Sequence, residues 1–137
     1  MQTLKINYLA ILACVVLAQV IPAVWYTVLS EPWMKANNIT MEQAQAAASA
    51  TPYLVSIIHS ALLSLVMAWL FKRMNVSSGM DGLQIGLAIG FAFVLMEHMT
   101  VNSFSLRPYY LTWIDGGCTF VVIPIIGFIL GSWRKYE

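Results

Sequence analysis

Four stretches of the chain are almost wholly apolar: Ile6–Leu29, Pro52–Phe71, Gly82–Phe104 and Tyr109–Trp133. A helix needs about 20 such residues to cross the hydrocarbon of a bilayer, so each run predicts a spanning helix. The polar residues collect between them, from Ser30 to Thr51, from Met74 to Met80 and from Ser105 to Pro108. The predicted fold is therefore all-α, an integral membrane four-helix bundle forming a single transmembrane domain over 1–137. In the first connection Glu31-Pro32-Trp33 reads as a helix-ending proline environment. Thr40-Met41-Glu42-Gln43 then has the spacing of a capping box, with Thr40 as cap and Gln43 reaching back. It predicts a short amphipathic helix over Met41–Ala50, either a spacer or a lid, with Met41, Ala44, Ala47 and Ala48 on its apolar face.

Composition agrees with a bilayer as solvent. The chain is 60% hydrophobic and 9% charged, where about a quarter of a soluble domain is charged. A net charge of +1 and the lack of a basic run leave no electrostatic footprint for nucleic acid. Lys5 before an apolar run resembles a signal peptide, but the run is too long and no small-x-small cleavage site closes it, so it predicts a retained first span. Cys14 and Cys118 are lone residues within spans and read as small buried hydrophobes. With four spans, Lys5, Lys72, Arg73, Arg134 and Lys135 share one side while Lys35 and Arg107 share the other. Positive charge stays inside, which predicts both termini in the cytoplasm. Aromatic residues mark both interfaces, more densely on the outer side.

Small residues let helices approach closely in lipid, and every span has a stripe of them. They are Ala10, Cys14 and Ala18; Ser56, Ser60 and Ser64; Gly82, Gly86 and Gly90; and Gly127 and Gly131. Pro22 and Pro124 are expected to bend their helices. Four short helices are few to enclose both a site and a dry core, so a homo-oligomer through the glycine stripe of span three or four is expected.

Candidate chemistry lies in the ionisable residues inside the spans, where an unpaired charge is costly. His59, Glu97, His98 and Asp115 all fall in the outer half when the spans are threaded in order, roughly 8–11 Å deep at 1.5 Å per residue. At about 100° per residue Glu97 points within roughly 20° of Gly86 and Gly90, hence toward a neighbouring helix, with His98 turned aside. Gly116-Gly117 beside Asp115 lets a backbone or a ligand come close, and Gln19 and Tyr26 reach the same depth on one face of span one. One shared pocket is the economical reading. It competes with polar pairs that merely pin helices together, and with a metal site built from His59, Glu97, His98 and Asp115, which lacks any H-E-x-x-H or E-x-x-H spacing. Ser56 and Ser60 near His59 meet the needs of nucleophilic catalysis only by helical neighbourhood. No lysine lies inside a span, which excludes a Schiff-base pigment.

Short stretches distributed over nearly the whole chain carry a family resemblance. Asn7-Tyr8-Leu9-Ala10-Ile11-Leu12, Trp25-Tyr26, Pro32-Trp33-Met34-Lys35, Gly82 to Gly90, Arg107-Pro108 to Gly116, and Ile126 to Trp133 resemble the small bacterial membrane proteins of domain of unknown function 1761. The resemblance implies a four-span inner-membrane protein and brings no activity or cofactor. Small multidrug exporters place a carboxylate in span one, where this chain has only Gln19; the vitamin K epoxide reductase type needs a Cys-x-x-Cys pair, and the membrane glutathione-transferase type needs arginines absent here.

The expected function is binding or transport of a small ligand or protons at the outer-half pocket, because burial and pairing act oppositely on carboxyl and imidazole groups and leave them ready to exchange protons. The alternatives are a membrane-embedded enzyme acting on a lipid or quinone-like substrate, and a structural or partner-binding subunit. The sequence names no cofactor; its expected surroundings are the lipid bilayer, a second copy, and a small-molecule or lipid ligand.

Overall fold

Residues that start or stop helices flank each apolar run, and the helices observed follow them. The computed structural model describes residues 4–136. The first span, Tyr8–Val28, begins at Asn7, whose side-chain oxygen accepts from the N–H groups of Leu9 and Ala10 at 3.1 and 3.3 Å. The second, Thr51–Met74, opens with Pro52 in its first turn, where a missing N–H costs nothing. It runs past Phe71 through Lys72 and Arg73, cations that favour a helix C-terminus. Asn75 then stops it in the left-handed conformation, φ 51°. The third, Gly79–Phe104, starts at Ser78, which accepts from the Asp81 N–H at 3.1 Å. The fourth, Tyr109–Ser132, follows Pro108. Pro22 and Pro124 lie inside the first and fourth helices.

The connection between spans one and two differs from expectation. Glu31-Pro32-Trp33 does not end structure but lies in the first two turns of a further helix, Ser30–Asn37, where proline is tolerated. The capping box of Thr40 and Gln43 forms as read. Its helix stops at Ala46 rather than Ala50, and none of its residues is buried, so no packing holds a further turn. At the opposite end Leu4–Lys5 pairs antiparallel with Lys135–Tyr136, and Asn7 Nδ2 donates to the Trp133 carbonyl at 3.1 Å. We call these the loop end and the terminal end.

The fourth span is the centre of the bundle: 61% of its membrane window is buried, against 17–22% for the other three. Its glycines explain how the third span reaches it. A Cβ on Gly82 would fall on the Gly127 carbonyl oxygen, and one on Gly127 on the Gly82 carbonyl. One on Gly86 would stand 2.6 Å from Pro124 Cα. The two backbones are in direct contact, so the glycine stripes assigned from sequence to a contact between copies are consumed within one chain. On the other side, Ala10, Cys14 and Ala18 pack with Met67, Ile123 and Ile126 in the core between spans one, two and four.

Two wide turns interrupt the regular helices. Gly90–Leu95 in the third span and Thr112–Gly116 in the fourth are π-helical, with Met96 N–H reaching the Phe91 carbonyl and Gly117 N–H the Thr112 carbonyl. A π turn inserts one extra residue and so rotates everything beyond it by about one residue's 100°. The inward stripe of span three accordingly runs Gly82, Gly86, Gly90, Leu95 and Asn102, all buried. Glu97, expected to face a neighbouring helix, is turned outward and exposed, and His98 takes its place.

Candidate functional site

Side chains from the first span and the loop-end helix converge on the π turn of the fourth. Asp115 Oδ1 accepts the Tyr26 hydroxyl at 2.7 Å and the Trp33 indole N–H at 3.0 Å. The Tyr26 and Trp33 rings meet edge to face, centroids 6.1 Å apart. One residue earlier, the Ile114 carbonyl accepts from the Trp25 indole N–H at 2.9 Å. The Trp25 ring lies over Gly117, where a Cβ would be 3.5 Å away. Gly116 admits the third span in the same way: His98 Cβ lies 3.1 Å from where a Gly116 Cβ would stand. The glycine pair beside Asp115 therefore receives protein side chains on two flanks.

A cavity of about 190 Å3 opens between the first, second and fourth spans, lined by Tyr26, Ser56, His59, Ser60, Cys118 and Thr119 with four apolar neighbours. Its two serine hydroxyls are tied to Gln19, which inserts between two turns of the second span: Ser56 Oγ donates to Gln19 Oε1 at 3.0 Å, and Gln19 Nε2 donates to Ser60 Oγ at 3.1 Å. Ser60 Oγ in turn donates to the Ile57 carbonyl at 3.0 Å. His59 is exposed at the edge of the cavity, and no described residue bonds to its imidazole. Asp115 Oδ2 has no described hydrogen-bond partner either, since both donors use Oδ1.

Of the six residues singled out from sequence, four surround this corner. Tyr26 and His59 line the cavity, Asp115 holds Tyr26, and Gln19 holds the serines. Glu97 and His98 belong to the third span and line neither this cavity nor the larger groove described below. Among the described residues no three His, Cys, Asp or Glu side chains come together as metal ligands. Both cysteines are buried and unpaired.

Sequence reasoning missed three contributors. Trp25, at the depth of the pocket, and Trp33, an interfacial ring, were assigned no partner from sequence, whereas each donates to the π turn. Buried Asn102 donates to buried Thr112 Oγ1 at 3.0 Å, joining the third and fourth spans. Asn102 falls on the glycine stripe only through the five-residue step from Gly90 to Leu95, which the apolar pattern of the sequence does not reveal.

Beside the cavity, on the lipid-facing flank, lies an open groove of about 880 Å3 between the first span, the Ser30–Asn37 helix and the fourth span. Its walls are Trp25, Tyr110, Trp113 and Phe120 with aliphatic residues, and its charged lining residue is Lys35.

Three apolar spans packed around a central fourth, closed at one end by a hydrogen-bonded polar corner, make this a multi-pass α-helical membrane protein. A family model described as Protein of unknown function (DUF1761) matches residues 9–131, nearly the whole chain, and the chain belongs to that family. The resemblance read from the short sequence stretches is thereby borne out. No curated protein and no solved structure matched.

Proposed function

We propose that this membrane protein binds a small polar ligand, or takes up and releases protons, in the cavity between its first, second and fourth spans. The observation that carries the reading is the cavity wall itself, where His59 and Thr119 face a tyrosine locked onto Asp115. A volume of 190 Å3 holds about six waters at roughly 30 Å3 each, or one small molecule. The His59 imidazole brings to the cavity wall a group that can both donate and accept, while Asp115 stands behind Tyr26 and holds its hydroxyl. Binding is favoured over hydrolysis, since both serines are committed as donors to Gln19 and to a backbone carbonyl. It is favoured over a continuous path, since Cys14, Ala18, Met67, Ile123 and Ile126 fill the bundle beneath. The count of basic residues orients the cavity toward the outside of the inner membrane, with both termini cytoplasmic. Association between copies would use the exposed apolar faces of the first two spans, not the glycine stripes.

Aqueous thiol labelling in intact cells tests both parts of this reading. In a chain carrying Cys14→Ala and Cys118→Ala, a charged methanethiosulfonate should modify His59→Cys and Asn38→Cys, but neither the lipid-facing Ile58→Cys nor Ser77→Cys. If His59→Cys reacts no faster than Ile58→Cys, the cavity is dry and the reading falls. If Ser77→Cys reacts and Asn38→Cys does not, the orientation is the reverse.

A further inference from the structure

We propose that the open groove is a binding site for one anionic phospholipid of the surrounding bilayer, with its headgroup at Lys35 and an acyl chain along the fourth span. The proposal concerns a different site from the cavity and does not depend on it. Three features carry it. The groove is apolar along its length and aromatic at its sides. It runs from Tyr110 near the start of the fourth span to Val121, and eleven residues at 1.5 Å each cover roughly 16 Å. Half the hydrocarbon core is roughly 15 Å, so the groove has the depth of one leaflet. Its polar side chains are donors: the Lys35 ammonium, the Tyr110 hydroxyl and the Trp113 indole N–H have no described partners, and the Trp25 N–H is already used. Glu31, one turn from Lys35 on the same helix, does not line the groove and forms no ion pair with it. A ligand with an apolar tail and an anionic head satisfies both ends, while a neutral tail alone leaves Lys35 uncompensated.

The test is native mass spectrometry of the full chain released from nanodiscs of equimolar phosphatidylglycerol and phosphatidylcholine with matched acyl chains. One phosphatidylglycerol should be retained per chain, preferred about fivefold, which is what one basic residue near the surface contributes. Lys35→Gln should bring the ratio to about one, and Lys35→Arg should keep it. Val121→Trp, which fills the groove from a half-exposed position, should lower retention of both lipids while thermal unfolding stays as in the parent. Equal retention of the two lipids by the parent chain, no retained lipid, or a preference that survives Lys35→Gln would each overturn the proposal.

Discussion

Gly127→Leu is expected to destroy the packed bundle, lowering stability by about 3 kcal/mol or more, at or beyond the top of the usual range for overpacking. A Cβ at that position falls on the Gly82 carbonyl oxygen, 2.9 Å from the Gly82 carbonyl carbon and 3.5 Å from Gly86 Cα. The obstacles are backbone atoms, so no rotamer change relieves them and the two helices must separate along their whole contact. Separation would also strip the fourth span, the most buried of the four, of one of its neighbours. Gly117→Ala is the matched control: its Cβ meets the Trp25 ring at 3.5 Å, an ordinary contact, and stability should stay within about 0.5 kcal/mol. Thermal unfolding in mild detergent, followed by tryptophan fluorescence, reads both. A Gly127→Leu chain that melts with the parent would show that the third and fourth spans do not touch as described.

Asp115→Ala is expected to cost roughly 1–3 kcal/mol, because hydrogen bonds inside bilayers average about 0.6 and reach about 1.7 kcal/mol and two are lost together. The Tyr26 hydroxyl and the Trp33 indole N–H are left without their acceptor. Asp115→Asn keeps an amide oxygen in place and should cost less than half as much. The difference has a local signature, since Trp33 is the link that holds the Ser30–Asn37 helix onto Asp115. Hydrogen exchange of the 30–37 amides should speed up in Asp115→Ala and change little in Asp115→Asn. Unchanged exchange in both would mean that Asp115 does not anchor this helix.

Legibility of the fold and of the site divides along the length scale of the signal. The spans were readable because hydrophobic runs of about 20 residues have one stable solution in a bilayer, and Thr40 with Gln43 because a capping box is a local motif. The facing of Glu97 was not. It came from a fixed rotation per residue carried across eleven residues from Gly86, and one π turn at Gly90–Leu95 shifted the result by a whole residue. No apolar pattern distinguishes five residues per step from four when every residue in the segment is apolar. Asp115, Tyr26 and His59 could be singled out because ionisable and phenolic groups at similar depth in a bilayer are costly apart. Trp25 and Trp33 were given no partner because interfacial tryptophan needs no special one, and only the structure places their N–H groups on the π turn of the fourth span.

The central claim is that Tyr26, fastened by Asp115, walls a hydrated polar cavity with His59. The most direct test is an experimental structure in a lipid nanodisc at a resolution that reveals ordered water. The account predicts density for water or a small ligand within hydrogen-bonding reach of His59 and Thr119, with the Tyr26 hydroxyl on Asp115 at close to 2.7 Å. A collapsed or empty cavity, with His59 turned into lipid and Tyr26 released from Asp115, would contradict it and leave the polar residues as pins between helices.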